Sequence, residues 1–346
     1  MNLVFKNEKL TSTEIRTRES FKKISEDYEF QVINIVKNWY SDDDYMEFMT
    51  SGSTGISKVI RLSKDQMRES SMATMAYLDP DKQVTHALLC ISSSFIGGAM
   101  LIIRALLHEI DLIIQKPNAS PTIPLNTKCL VSMVPLQVMN SLNHDISSLD
   151  GIHTLLIGGA PLSEKYLNIL RSRKINAFVT YGMTETASHI ALRSVNETDS
   201  YYKVLGDTEI SIDDRQCLKI RGSITNNVWI QTNDLVEIKD ERSFIWIGRN
   251  DLIINSGGYK VNPETVEMIL GEVIKNPLLI IPEEDELLGQ KVILLIESEN
   301  PLKIDDSIFK RLHPYTKPKR IEFVKSFVYT PSGKIDRIKT AKKYLQ

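Results

Sequence analysis

Residues Thr50-Ser51-Gly52-Ser53-Thr54-Gly55-Ile56-Ser57-Lys58 bring together the residue types that grip a polyphosphate. The glycines let backbone N–H groups approach a ligand closely. The hydroxyls add donors, and the lysine adds a point charge. The spacing is not that of the P-loop, which needs four residues between its glycines and a lysine directly after the second. Taken alone, the run also reads as an ordinary surface turn.

Five further segments carry reactive types. Tyr181-Gly182-Met183-Thr184-Glu185-Thr186 offers an aromatic face, a hydroxyl and a carboxylate in one turn. A carboxylate beside a phosphate loop is a natural Mg²⁺ ligand, because Mg²⁺ takes one or two carboxylates plus phosphate oxygens. Asp234 ends a strand, where it can accept hydrogen bonds from ribose hydroxyls. Gly248-Arg249-Asn250-Asp251 falls at a change in chain character, and Asn255-Ser256-Gly257-Gly258-Tyr259-Lys260 forms a tight turn. Thr330-Pro331-Ser332-Gly333-Lys334 lies near the C-terminus. Singly, a Thr-Glu pair is a helix cap, and a strand-end Asp or a Gly-Gly pair is a turn. A basic C-terminal loop is a solvated one. Their joint occurrence in this order is what points to one site.

The elements that must position these residues alternate. Helix is predicted over 11–40, with an N-cap at Thr11 and an acidic first turn. A strand at Tyr45–Met49 leads into the Ser/Thr/Gly loop, and Leu62–Tyr77 reads as a helix. Strands at Val84–Ile91, Asp111–Gln115, Cys129–Val134, Thr154–Ile157 and Ala177–Thr180 alternate with helices at Gly98–His108, Leu136–Leu142 and Ser163–Arg173. Such alternation predicts a mostly parallel α/β sheet, in which ligands collect beyond the carboxyl ends of the strands. Short strands over 204–247 predict an antiparallel β section. The chain then restarts with a helix opened by Asn262-Pro263-Glu264, further strands, and a helix near Ser307–Leu312. The expected fold class is therefore α/β. A large domain over 1–249 combines a parallel sheet with an antiparallel section, and a small mobile α/β lid covers 250–346.

Bulk properties narrow the function. The chain has 346 residues, 42% hydrophobic and 25% charged, with a formal net charge of -2; this suits a globular protein of two domains. No basic excess argues for nucleic acid. Cys90, Cys129 and Cys217 lie far apart, two of them in apolar runs, which reads as reduced core thiols rather than a metal site. Neither a signal-like N-terminus nor a membrane-length apolar run is seen, so a cytoplasmic location with no membrane insertion is expected.

In this order the segments resemble the adenylate-forming superfamily of acyl-CoA synthetases, luciferases and peptide-synthetase adenylation domains, from about residue 45 to residue 340. The resemblance implies ATP and Mg²⁺ as cofactors and CoA as co-substrate. It implies that Thr50, Ser51, Gly52, Ser53, Thr54, Gly55 and Lys58 hold the ATP phosphates. Gly158, Gly159 and Ala160 would flank the adenine, and Tyr181 would stack on it, with Gly182 and Met183 in the same nucleotide-binding segment. Thr184 would contact the phosphates and Glu185 the Mg²⁺. Asp234 and Arg249 would hold the ribose, Asp251 would be the hinge, and Lys334 the mobile catalytic lysine. Ser256, Gly257, Gly258, Tyr259 and Lys260 would line the tunnel for the thiol.

Within the superfamily, Tyr181-Gly-Met-Thr-Glu-Thr-Ala-Ser-His-Ile190 and Phe95-Ile-Gly-Gly-Ala-Met-Leu-Ile-Ile-Arg104 resemble the o-succinylbenzoate–CoA ligases of menaquinone biosynthesis. Arg104, seven residues after the small Gly97, would then bind the carboxylate that does not react. Ser188 and His189 would help line the acid pocket. Two departures stand out. Only 49 residues precede the phosphate run, where superfamily members usually have well over a hundred, so the far wall of the acid pocket must be built otherwise; a second subunit is one way. Leu252 stands where many relatives carry an acidic residue beside the hinge. Two other readings stay open. One is a CoA ligase or adenylating enzyme for a different aromatic or short acid. The other is a nucleotide-binding homologue without activity, against which the charges of Lys58, Glu185 and Lys334 argue.

Overall fold

A computed structural model describes residues 1–18, 21–50, 58–124, 127–197, 199–330 and 335–344. Short apolar runs that alternate with amphipathic segments assemble here into one long mixed sheet flanked by helices. The helices of this part are α1 (Ser12–Thr17), α2 (Asp27–Trp39), α3 (Lys64–Leu78), α4 (Ile96–Leu107), α5 (Pro135–His144) and α6 (Glu164–Ser172).

The sheet has 13 strands among the described residues. Its parallel half runs Ala177–Met183, Thr154–Ile157, Cys129–Met133, His86–Leu89, Asp111–Ile114 and Asn2–Val4 in spatial order. Both faces of the central strands Thr154–Ile157 and Cys129–Met133 are buried, which is why they read as largely apolar runs. Ala87 and Leu89 pack with α2, α3 and α4, whereas Leu88 packs with α5 and α6. Successive side chains of an extended chain point to opposite faces, so the single run serves two cores.

Beyond Ala177–Met183 the strands become antiparallel: Ser188–Ser194, Tyr202–Val204, Ser243–Arg249, Ile230–Asp240, Cys217–Arg221 and Glu209–Ile212. Residues 254–324 form a separate five-stranded sheet, in which Gly289–Glu297 pairs with Leu278–Asp285, Ile254–Ser256 and Arg320–Val324. This smaller sheet carries its own apolar clusters and the helices α7 (Pro263–Gly271) and α8 (Arg337–Tyr344).

Several expected elements differ. The predicted helix over 11–40 is two helices. Thr11 does cap the first, accepting from the Glu14 N–H at 3.1 Å, but α1 ends at Thr17 and the chain turns before α2. Leu62 and Ser63, predicted to open the helix, instead end the strand Val59–Ser63. Ser63 exchanges capping hydrogen bonds with Gln66, so the helix starts only at Lys64. The predicted helix near Ser307–Leu312 is a 3₁₀ segment over Asp306–Arg311. Among the elements without a sequence-based expectation are the N-terminal strand Asn2–Val4 near the sheet edge, tied down by Asn2 bonds to Asp111, and the strand Ser188–Ser194. Both are short or half-polar, and only their sheet partners define them.

Candidate active site

The phosphate-loop candidate is the connection of a β-hairpin. Tyr45–Met49 and Val59–Ser63 pair antiparallel, and Thr50 and Lys58 close the neck. The Thr50 N–H donates to the Lys58 carbonyl at 2.8 Å, and the Lys58 N–H donates to Thr50 Oγ1 at 3.0 Å. Ser51, Gly52, Ser53, Thr54 and Gly55 lie outside the described residues. The strand Val59–Ser63 packs beside a 3₁₀ turn at Thr184–Thr186. The hairpin and the turn that carries Glu185 are thereby neighbours despite their distance in sequence.

The strand before that turn runs to Met183, three residues beyond its expected end. The physical reason is the return strand: Ser188 pairs with Met183 and His189 with Gly182, drawing Tyr181–Met183 into the ladder. Gly182 has no room for a side chain, because a Cβ there would stand 2.1 Å from the Ser188 carbonyl oxygen. Thr186 Oγ1 accepts from the Met183 N–H at 3.1 Å and donates to the Ser188 carbonyl at 2.8 Å. Ala187 and Ser188 adopt φ of 48° and 83°, a conformation that costs non-glycine residues energy and clusters at functional sites. Thr184 and Glu185 are half-buried, and Glu185 makes no ion pair among the described residues.

Four other predicted residues gather at the junction of the two sheets. The Tyr181 hydroxyl donates to Asp234 Oδ2 at 2.8 Å. Trp246 Nε1 donates to the other carboxylate oxygen at 3.2 Å. Asp234 stands directly opposite Arg249 in the strand register. Arg249 forms a bidentate pair with Asp251 at 2.9 and 2.6 Å. Burial, then the Asp234 charge, holds the Tyr181 hydroxyl well above the usual phenol range. Its ring packs edge-on against Tyr202 and Phe244. Gly158, Gly159 and Ala160 follow the strand Thr154–Ile157, at the same carboxyl end of the sheet.

Where the chain leaves the large sheet, α7 grips it. Glu264 accepts the Arg249 N–H at 2.8 Å, and Asn262 Nδ2 donates to the Ile247 carbonyl at 3.1 Å. Asn262 also caps α7, as its sequence predicts, accepting from Glu264 and Thr265. Gly248, between the gripped residues, has φ of 155° and would drive a Cβ to 2.0 Å from Asn262 Nδ2. Burial raises the Glu264 carboxyl to about 7, opposed by Arg337.

The remaining predicted residues lie elsewhere. Ser256–Lys260 is the turn between Ile254–Ser256 and Tyr259–Val261; Ser256 pairs with Gly289, and Tyr259 stacks on Tyr315. Lys334 lies outside the described residues. Its flanks, Tyr329 and Ile335, form an isolated bridge, and Tyr329 OH donates to Glu297 Oε2 at 3.0 Å. Gly289 and Glu297 are the two ends of one strand. The turn and the lysine's flanks are therefore tied to opposite ends of that strand, about 27 Å apart at 3.4 Å per residue.

Arg104 is in the last turn of α4 and only 1% exposed. It is not the surface arginine that a lone helical charge suggests. No ion pair engages it among the described residues, and burial alone pulls its guanidinium down to about 9. His189 is buried nearby; burial first, then the Arg104 charge, holds it well below the usual imidazole range. Gly97 lies in the first turn of α4 and Ser188 beside His189. Trp246 escaped the sequence reading; the alternation Phe244-Ile-Trp-Ile247 in a strand was the available signal.

Glu185 without an ion-pair partner among the described residues, the hairpin that packs on its turn, the strained turn and the side chain-free backbone at Gly182 fit a magnesium-bound triphosphate. Among the described residues there is no cluster of three or more His, Cys, Asp or Glu able to hold a metal alone. A single carboxylate suits Mg²⁺ that is shared with phosphate oxygens.

The profile of the AMP-binding enzyme family matches residues 5–224. The chain belongs to that family, and its class is that of the adenylate-forming acyl-CoA ligases. It is 26% identical to the 2-succinylbenzoate–CoA ligase of Listeria monocytogenes over 359 aligned positions, which cover 94% of this chain and 75% of that one. Among solved structures, it is similar to an acyl-CoA synthetase (AMP-forming)/AMP-acid ligase II-like protein from Dyadobacter fermentans. The two are 32% identical with a TM-score of 0.62, covering 96% of this chain and 98% of that one. The fold is also that of the O-succinylbenzoate coenzyme A synthetase MenE from Bacillus subtilis, solved with ATP and magnesium ion. That match has 20% identity and a TM-score of 0.74, and covers 85% of this chain and 69% of that one.

Proposed function

We propose that the enzyme joins ATP and 2-succinylbenzoate to give an acyl-adenylate and pyrophosphate, then passes the acyl group to CoA with release of AMP. The observation that carries the choice of acid is Arg104: a buried guanidinium without a carboxylate partner among the described residues, on the helix that packs against the strand Ser188–Ser194. A monocarboxylic acid would leave that cation unanswered, and an unanswered buried charge is costly. Relatives named for a dicarboxylic acid support the same choice.

In this reading the reacting carboxylate attacks the α-phosphorus, and pyrophosphate departs with the P–O electron pair. Thr50, Lys58 and the hydroxyl-rich loop between them bind the phosphates. Asp234 accepts from ribose hydroxyls, held in place by Tyr181 and Trp246. Arg249 turns from Asp251 toward the nucleotide. Glu185 would hold Mg²⁺, which neutralises charge on the phosphates when bound. Lys334 supplies a fixed cation where charge spreads in the transition state. The thiolate of CoA then attacks the acyl carbonyl, and AMP leaves.

The domain division belongs to the same proposal: a large part over 1–249, and a lid over 250–346 that turns about Asp251. Its support is the strand Gly289–Glu297, whose two ends carry the Ser256–Lys260 turn and the flanks of Lys334. One rotation would exchange them at the nucleotide. No helix among the described residues is long and apolar enough to cross a membrane, and the three cysteines are buried free thiols, which agrees with a cytoplasmic enzyme.

Pyrophosphate release with a panel of acids, with and without CoA, tests this. Release with 2-succinylbenzoate, and a thioester only when CoA is present, is the expected result. Turnover confined to monocarboxylic acids would overturn the choice of acid, and ATP binding without turnover would overturn the activity.

A further inference from the structure

A serine or threonine inside a helix commonly turns its hydroxyl back to the carbonyl one turn earlier. On α3 this holds for Thr74, whose Oγ1 donates to the Ser70 carbonyl at 2.8 Å. Ser70 does otherwise. Its Oγ donates to the Ala187 carbonyl at 2.8 Å, on a segment 117 residues away in the chain.

Gln66, Ser70 and Thr74 are four apart, so they lie one above another on a single face of α3. All three are buried. Each reaches a different segment around the Thr184–Thr186 turn. Gln66 Nε2 donates to the Ile224 carbonyl at 2.8 Å, in the 3₁₀ turn Ser223–Thr225 that packs beside Thr184–Thr186. Thr74 Oγ1 is 2.9 Å from His189 Nε2, in the return strand. Ser70, between them, holds the turn itself.

Ala187 is the residue on which that turn closes. Its N–H donates to the Thr184 carbonyl at 3.1 Å, and its own carbonyl is the one that Ser70 answers. Ala187 is fully buried, so bulk water does not reach that carbonyl. Left-handed backbone at residues other than glycine persists only where the surroundings over-determine it. Ala187 and Ser188 are two such residues in succession, and the Ser70 bond restrains them from outside the turn.

The same helix is fixed to the other half of the site. It begins at Lys64, directly after the strand Val59–Ser63. Ser63 and Gln66 exchange hydrogen bonds across that junction. The hairpin closed by Thr50 and Lys58 is therefore joined to the turn of Thr184 and Glu185 through about two turns of helix. A lone carboxylate is only as well placed as the turn that carries it. Mg²⁺ tolerates little departure from octahedral geometry, and groups that orient a metal ligand are worth about 10–100-fold in metal affinity or activity.

We propose that Ser70 is a positioning residue for the nucleotide: through the Ala187 carbonyl it fixes the turn of Thr184 and Glu185 against the hairpin of Thr50 and Lys58. This rests on the reading that Glu185 holds Mg²⁺ and the hairpin holds the phosphates. It adds to that reading a residue that touches neither.

The test compares the wild type, Ser70→Ala and Ile152→Val in the full chain. Ile152→Val removes one methyl from the core on the opposite face of the sheet and represents a loss of stability alone. Amide hydrogen exchange over residues 184–188 reads the turn without any ligand. The rise in melting temperature that Mg²⁺ adds to ATP reads the site without turnover, and the KM for MgATP reads it during pyrophosphate release. In Ser70→Ala, exchange should speed up at 184–188 and not across the large sheet. The Mg²⁺-dependent rise should be lost, while the rise caused by ATP in EDTA stays. The KM for MgATP should increase about tenfold. Ile152→Val should melt lower yet keep all the wild-type responses.

Unchanged exchange at 184–188 in Ser70→Ala, or a KM for MgATP that moves no more than in Ile152→Val, would overturn the positioning role and leave the reading of Glu185 intact. A wild type whose melting with ATP ignores Mg²⁺ would overturn the Glu185 reading, and the positioning role with it.

Discussion

The hydroxyl of Tyr181 donates to Asp234 at 2.8 Å, tying together residues 53 apart in sequence. The bond crosses from the last parallel strand to the antiparallel half of the sheet, so one hydrogen bond aligns two segments that the proposed nucleotide must contact. Tyr181→Phe keeps the ring and removes the bond. Stability should fall by about 1 kcal/mol, the net worth of such a bond. The KM for ATP should rise more than the KM for the acid, because Asp234 loses its orienting donor. Steady-state kinetics and a urea titration check both; an unchanged KM for ATP would detach Asp234 from the nucleotide.

Arg104 offers an unusual pairing of outcomes. Replacing a buried ion by an apolar side chain of similar length is often neutral or stabilising by about 1–4 kcal/mol. Arg104→Met should therefore melt no lower than the wild type, yet show a strongly raised KM for the acid while sparing the KM for ATP. Equal loss of both affinities, or a large drop in melting temperature, would contradict the pocket assignment.

Glu264 gives the fold a pH signature. Its carboxyl is raised to about 7 by burial, against an ordinary value of 4.5. Between those two pH values the folded state holds a proton that the unfolded state has lost, so stability falls as pH rises through this window. The loss amounts to about 3 kcal/mol once pH exceeds 7. Glu264→Gln still offers an oxygen to the Arg249 N–H but carries no charge. It should melt higher than the wild type at pH 8, with the gap closing toward pH 5. Melting curves across this range decide it, and parallel profiles for the two proteins would refute the burial of that charge.

Lys334 separates the two half-reactions. If it acts as a fixed cation for adenylate formation, Lys334→Ala should slow pyrophosphate release by roughly 10²–10³, as for other preorganised donors. Thioester formation from supplied acyl-adenylate should persist. Comparable losses in both half-reactions would assign the lysine a different role.

Much of this protein was legible in its residues. The apolar run at Thr154–Ile157 is a strand over the length the sequence predicts. Asn262 caps α7 because a side-chain amide before proline and glutamate has few other uses. These are local preferences, decided by neighbours within a turn or two. Where pattern was ambiguous, sheet partners decided. Leu62 and Ser63 read as the start of a helix, but pairing with Met46 and Tyr45 makes them the end of a strand.

Types and spacing in the chain determined the class of chemistry: a hydroxyl-rich run closed by lysine, a carboxylate in a turn after a strand, and separated Asp, Arg and Lys. Only the tertiary structure decided how these meet. The return of Ser188–Ser194 against Tyr181–Met183 and the Tyr181–Asp234 bond come from pairings across the sheet. So does the burial of an unpaired Arg104 between α3 and α4. Local sequence sets backbone preference and side-chain chemistry, but solvation and electrostatic surroundings are collective properties of the packed chain. The same arginine would be an ordinary surface charge on an isolated helix.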